Sequence, residues 1–391
     1  MGILQWYLDP YNLLRGYSMK SDGRILHVAS LLDPYGSSRQ LRLLIEGLSS
    51  KHWDSEVIAL RTLGDTHRTI ATVGASVRPL NARWTVDPIA AGRLARLLRN
   101  RHIDLLHCWG IAALSYTCAV WPGPRDLPLV VTLTDHLPRR PLRQVLLKRL
   151  IRRVRHVVVS NQTTYQQCVA MKIEPEKLVI IPSGVALPDP PTRSREELLT
   201  ELQLPSETHL LAIVGPLLAH KRVDDAIWCF ELIRVLYDNA CLLVIGDGPQ
   251  RHRLERFAQL VCDPGAVRFL GLRADMAEIL PHIDVLWQRS EWEAGPNAVL
   301  EAMAARVPVV ATDIGPHAQF IEHERTGFLS PVGSRADCTR LTDQLLSDPQ
   351  RAHRVGVAAR AFVGQQYSVG QMAAAYQRIY EQDVSNALAG H

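Results

Sequence analysis

Short, continuous apolar runs alternate with helix-like segments along nearly the whole chain, and the alternation happens twice. The first series holds RILHVAS (24–30), DSEVIALR (54–61), PLVVTLTD (128–135), HVVVSN (156–161) and KLVIIPSG (177–184). The second holds HLLAIVG (209–215), CLLVIGDG (241–248), AVRFLGL (266–272), IDVLWQR (283–289) and VPVVATD (307–313). A strand that is apolar on both faces must be covered on both faces. Helical crossovers between parallel strands provide that cover. Two such series, split by the proline-rich stretch at 188–191, read as an α/β chain with two Rossmann-like, doubly wound parallel-sheet domains in tandem. Ligands in such sheets sit beyond the carboxyl ends of the strands. Gly36, Gly215 and the turn Gly246–Pro249 fall at those ends.

Bulk properties narrow the class. With 391 residues, 47% hydrophobic and 21% charged, the chain can bury two ordinary cores. Its seven cysteines form no C-x-x-C pair, which argues for reduced thiols in a cytosol and against a zinc ribbon. Residues 1–190 carry 25 Lys+Arg against 14 Asp+Glu, and residues 191–391 carry 19 against 25. A basic front half and an acidic back half suggest different partners for the two domains. The longest uncharged run, 105–124, contains Pro122, Pro124 and polar His107, Ser115 and Thr117, and reads as a buried strand plus helix, not a membrane span. The opening residues lack the apolar core of a secretory signal; they read as a short N-terminal arm (1–23), with Met1 and Met19 both natural starts.

Residues 293–301, EAGPNAVLE, carry the sharpest local signal. On one helix the two glutamates would point about 80° apart and lie about 12 Å apart along the axis, a poor geometry for sharing a proton. Gly295-Pro296 instead predicts that a helix begins inside the motif, with Pro296 at its first position. Glu293 then sits on the preceding loop and Glu301 on the second turn. Between them lie free amides and the positive end of the helix dipole, a ready place for phosphate. An ordinary capped helix with two solvated acids is the plain alternative.

The ordered motifs around that stretch resemble the retaining GT-B glycosyltransferases of the large family usually called family 4. They are VGPLLAHKRVDDAI (214–227), LLVIGDGPQRHRLE (242–255), the segment 267–316 that contains E-x7-E, and ERTGFLSPVG (324–333). The resemblance covers most of residues 205–380 and extends more loosely over the front half through RILHVASLLDPYGSSRQ, IDLLHCWG, PLVVTLTDH and EKLVIIPSGV. It implies an acceptor domain at 24–188, a nucleotide-sugar domain at 189–369, and a C-terminal helix at 370–391 packing back on the front domain. It also implies a nucleotide-sugar donor. Glu293 would meet hydroxyls of the transferred sugar, Glu301 the ribose hydroxyls, and the backbone of Gly295, Pro296, Asn297 and Ala298 would form the surface facing sugar and diphosphate. Lys221 matches the family lysine on the leaving diphosphate, a charge that grows in the transition state. Gly215 opens the donor turn. There is no D-x-D, in keeping with phosphate handling without a metal or other cofactor. Retention, and front-face chemistry assisted by the leaving phosphate, are likewise implied by the family.

Three positions depart from the family pattern. Pro216 replaces the usual arginine, and Arg222 or His220 is the candidate substitute. Thr134 stands where a front-domain histidine is usual, and His136, two residues on, would share its face of an extended strand. Arg306 and Pro316 replace glycines. Gly36 and Ser37 are candidates for an acceptor or phosphate loop, and His107 for a cleft residue, against plain turn and buried-histidine readings. Eight basic residues between Arg139 and Arg155 interleave with apolar residues at helical spacing. They read either as a solvated helix on the sheet or as a surface for anionic membrane. No aromatic platform or recognised module accompanies the charge, which argues against nucleic acid. The reading that results is a cytoplasmic glycosyltransferase, peripheral on the inner membrane face, that moves a sugar to a hydroxyl acceptor in polysaccharide or glycolipid assembly. A non-catalytic nucleotide-sugar or partner-binding protein, and a nucleotide-sugar epimerase or hydrolase, are the rivals.

Overall fold

The computed structural model describes residues 23–33, 36–49, 53–61, 64, 66–83, 87–100, 102–121, 127–134, 136–138 and 140–389. The N-terminal arm, apart from residue 23, lies outside the described residues, as do Asp135 and Arg139.

The front domain is built on seven parallel strands: β1 (Gly23–Ala29), β2 (Trp53–Ala59), β3 (Ser76–Pro79), β4 (Leu105–Trp109), β5 (Leu129–Thr132), β6 (His156–Val159) and β7 (Leu178–Ile180). Their spatial order is β3-β2-β1-β4-β5-β6-β7. The back domain has six: β8 (His209–Val214), β9 (Ala240–Ile245), β10 (Val267–Gly271), β11 (Val285–Gln288), β12 (Val309–Thr312) and β13 (Phe328–Ser330), ordered β10-β9-β8-β11-β12-β13. Both sheets reverse direction of growth beside their first strand, between β1 and β4 and between β8 and β11. Such switch points leave a crevice above the strand ends.

Central strands such as β4, β9 and β12 are buried at every residue, which is why they read as unbroken apolar runs. Two strands escaped the sequence reading. Edge strand β3 alternates exposed and half-buried residues, and β13 is three residues long. Strand β5 stops at Thr132, so Thr134 and His136 lie in the loop beyond it and the shared-face argument for them does not apply. All seven cysteines are free and buried.

The chain crosses between domains twice, and the two crossings touch: Val185 and Ser368 form an isolated parallel bridge, and the Val185 amide donates to the Tyr367 carbonyl at 2.8 Å. After the second crossing, helix Val369–Ala389 lies on the front domain. Met372, Ala373, Tyr376, Ile379 and Tyr380 join Ile25, Leu44, Trp53 and Trp109 in one core cluster. Burying those five side chains contributes on the order of 10 kcal/mol, an upper figure because the unfolded chain is already partly compact. Helix Pro141–Ile151 packs through Leu147 and Ile151 and leaves Leu142 at 82%, Leu146 at 54% and Val145 at 45% exposure. No described helix is long and apolar enough to cross a membrane.

Candidate functional site

The crevice between the domains holds a cavity of about 540 Å³. Helix Asn297–Ala304 begins one residue later than expected, with Pro296 just outside it. The loop from the end of β11 to this helix carries Glu293, whose side chain is only 5% exposed. A single oxygen, Oε1, accepts from Lys221 Nζ at 2.6 Å, Gln288 Nε2 at 2.6 Å and Ser290 Oγ at 2.7 Å. Burial pushes the Glu293 carboxyl up, but the charges of Lys221 and His317 and the bonds from Lys221 and Ser290 outweigh it, and the net shift is downward. Glu293 is therefore an ionised carboxylate held still. His317 is fully buried: Nδ1–H donates to the Thr312 carbonyl at 2.7 Å and Nε2 has no partner among the described residues. Burial holds its pKa below the usual value, against the pull of Glu293. In the sequence this stretch showed only a missing glycine at Pro316.

Glu301, on the second turn of the same helix, meets the front domain. Arg39 Nη1 donates to Glu301 Oε2 at 2.9 Å across the cleft. Burial raises the Glu301 pKa and Arg39 works against that rise. Arg39 stands on helix Gly36–Ser49, whose first residue faces Asn297 so closely that a Cβ on Gly36 would lie 2.2 Å from Asn297 Nδ2. Gln40 fastens the approach, donating to Asn297 Oδ1 at 3.1 Å and to the Gly184 carbonyl at 2.9 Å. Two helix N-termini, one from each domain, thus converge on one cavity, an arrangement that favours an anion between them. From below, Asn161 Nδ2 donates to the Ala294 carbonyl at 2.8 Å and ties the Glu293 loop to β6.

The other walls are aromatic. Trp292 stacks on His220 (3.9 Å, 19°) and meets the edge of His136 (4.4 Å, 82°), again across the domain boundary. His136 Nδ1–H donates to the Leu137 carbonyl at 2.6 Å. Trp109 and Tyr376 stack at 6.3 Å and 30° on the front-domain side. Behind them runs a buried chain: Tyr380 hydroxyl to His107 Nδ1 at 2.8 Å, His107 Nε2 to Thr132 Oγ1 at 2.8 Å, and Thr132 Oγ1 to Tyr376 hydroxyl at 2.9 Å.

Of the residues singled out from sequence, Glu293, Lys221, His136, Glu301, Gly295, Pro296, Asn297, Ala298, Gly215, Gly36 and Ser37 all line this cavity. Two others are not brought there. His107 is fully buried behind Thr132, because β4 is a central strand with both faces covered. Arg222 adopts a left-handed conformation (φ 50°) that sends its side chain to Glu291 at 2.8 Å and Asp225 at 3.6 Å. Arg39, Trp292, Thr132 and Tyr376 line the cavity without having been singled out. Arg39 had a legible signal, standing three residues after Gly36 on the first turn of a helix. Tyr376 had none, since it arrives from the far end of the chain. Gly215 has φ +144°, and Arg306 takes the left-handed form (φ 65°).

Residues 34–187 match the family model described as Glycosyltransferase Family 4, and residues 194–362 match Glycosyl transferases group 1. Fold and matches together define a GT-B fold whose two domains are each similar to a glycosyltransferase family. Among curated relatives, the chain is 30% identical over 188 residues to N-acetyl-alpha-D-glucosaminyl L-malate synthase of Bacillus anthracis, covering 48% of this chain and 49% of the relative. It is 32% identical over 173 residues to GDP-mannose-dependent alpha-mannosyltransferase of Mycobacterium tuberculosis, covering 44% and 42%. The chain thus spans half or less of the length of these relatives. Among solved structures, HepE of Anabaena, crystallised in complex with UDP and glucose, superimposes with a TM-score of 0.79 at 18% identity, covering 93% of this chain and 100% of that one.

Proposed function

We propose that this protein transfers a sugar from a nucleotide sugar to a hydroxyl acceptor, with retention and without a metal. The observation that carries the proposal is the meeting of Lys221, Glu293 and the helix N-terminus at Asn297 in one interdomain cavity. In this reading Glu301 accepts from the ribose hydroxyls, the amides at the helix start take the diphosphate, and Glu293 Oε2, not engaged by the three donors on Oε1, accepts from sugar hydroxyls. Lys221 is placed to shift from Glu293 toward the phosphate as negative charge grows there. Three donors on Oε1, one of them the Lys221 cation, lower the basicity of the Glu293 carboxylate and make it a weak nucleophile. The chemistry proposed is therefore front-face. The bond from the anomeric carbon to the phosphate oxygen breaks, the bond to the acceptor oxygen forms on the same face, and the acceptor proton passes to the leaving phosphate. HepE was crystallised with UDP and glucose, and the Mycobacterium tuberculosis relative is named a GDP-mannose-dependent alpha-mannosyltransferase, which supports the substrate class.

The proposed setting is the cytoplasmic face of a membrane, in polysaccharide or glycolipid assembly. Helix Pro141–Ile151 would dock there, with Leu142, Val145 and Leu146 in the interface and Arg143 and Arg149 on anionic headgroups. Flotation with phosphatidylglycerol vesicles, lost in Leu142→Glu/Leu146→Glu, tests that part.

The test of the main reading is a thermal-shift panel with UDP, GDP, ADP and dTDP and their sugars. A ligand at about 100 times its dissociation constant adds about 2.7 kcal/mol. One responding nucleotide, with the response lost in Glu301→Ala, supports the donor site; silence from all of them sinks it. Pro216 favours a second reading, a non-catalytic nucleotide-sugar-binding protein, because it puts no charge where the family has arginine. Turnover that rises from near zero in Pro216→Arg would select that reading.

A further inference from the structure

We infer that Arg39 supplies, from the opposite domain, the second positive charge for the donor diphosphate, and that Glu301 holds it in waiting while the cleft is empty. The inference rests on the nucleotide-sugar reading above and goes beyond it.

Among the described residues lining the cavity, the Lys and Arg side chains are Lys221 and Arg39. Lys221 is paired with Glu293, Pro216 carries no charge, and Arg222 is turned to Glu291 and Asp225. A nucleoside diphosphate brings at least two negative charges. The back domain offers one side-chain cation and a helix N-terminus. Arg39 stands on the first turn of the facing helix, so its guanidinium adds to a second positive helix end. Its side chain is 39% exposed and its contact is Glu301 Oε2 at 2.9 Å. Ribose and α-phosphate are joined through a single exocyclic carbon and oxygen. A guanidinium on the carboxylate that binds ribose therefore needs only to swing along the same sugar to meet that phosphate.

The exchange is balanced. Ribose hydroxyls take over Glu301 as hydrogen-bond donors, and the displaced Arg39 gains phosphate oxygens, which it grips bidentately. No buried charge is left alone at either stage. One consequence follows for recognition: diphosphate binding requires the front domain in place, at the approach that the Arg39–Glu301 contact already holds.

The test uses the full chain and the nucleotide among UDP, GDP, ADP and dTDP that binds wild type, with its matched nucleoside measured by displacement. Arg39→Ala is expected to weaken the diphosphate about 10- to 100-fold while leaving the nucleoside unchanged or tighter, since Glu301 is freed. Arg39→Lys should recover part of the loss. Melting temperatures check that both variants fold. An Arg39→Ala protein that binds the diphosphate as wild type does overturns the inference alone. Equal weakening of diphosphate and nucleoside also overturns it, and makes Arg39 a domain bridge only. Wild type that binds none of the four diphosphates overturns this inference and the donor reading together.

Discussion

Replacing Lys221 by methionine removes the cation from a pair in which both partners are nearly buried, 13% and 5% exposed at the side chains. With so little solvent at the pair, screening discounts the effect only slightly. Breaking a buried ion pair by deleting one partner costs about 3–5 kcal/mol, because the other charge is left behind. For a domain near 200 residues that corresponds to a melting temperature lower by roughly 10 °C. In wild type, Glu293 titrates below its ordinary value despite burial, so its contribution is present above the unfolded carboxyl range and is lost as pH falls through the depressed value. Without Lys221, burial dominates and the sign reverses. The deficit is then largest at pH 7–8 and shrinks toward pH 5, as a proton neutralises the stranded carboxylate. Thermal melts of wild type and Lys221→Met at pH 5, 6, 7 and 8 measure this. Lys221→Met/Glu293→Gln should recover most of the lost stability at pH 7. An unchanged melting temperature, or a deficit that grows on acidification, would refute the reasoning.

Glu301 responds to pH in the opposite sense, because burial raises its pKa with Arg39 opposing. Nucleotide affinity should weaken on acidification starting above the ordinary carboxylate range, and binding curves across pH 4.5–7 should lose that dependence in Glu301→Gln. Arg306→Gly relieves a left-handed backbone (φ 65°) and should stabilise by about 0.5–1 kcal/mol in urea titrations; a loss would mean that the arginine side chain matters more than its backbone. Tyr380→Phe removes the partner of the buried His107 Nδ1 and should destabilise by about 1–3 kcal/mol, whereas an unchanged midpoint would show that the hydroxyl chain carries no energy. Glu293→Ala should lower transfer more than donor binding, as read by separate kcat and nucleotide titrations.

What the sequence disclosed follows from how local each signal is. Central strands declared themselves because both faces are covered, while β3 and β13 did not, one being a half-exposed edge and the other too short to show a period. Residues 293–301 carried their own geometry, since Gly-Pro-Asn writes a helix start into consecutive residues. Lys221 was found through order along the chain. Contacts made across the cleft had no such trace. Arg39 is 262 positions from Glu301, and the hydroxyl of Tyr376 meets Thr132 from 244 positions away. His107 illustrates the converse: a histidine at a strand end looks like a site residue until the C-terminal helix is seen to roof that part of the sheet.

The bridge between Val185 and Ser368 has a mechanical meaning. A body joined to another by one strand of chain can swivel about any axis through that point. Here two strands cross side by side, hydrogen-bonded to each other, and the second continues directly into a helix seated in the opposite domain. Twist and slide are thereby opposed, and one bending direction stays soft. The paired crossings therefore fix the facing of the two domains, with Gly36 set against Asn297 and Arg39 against Glu301.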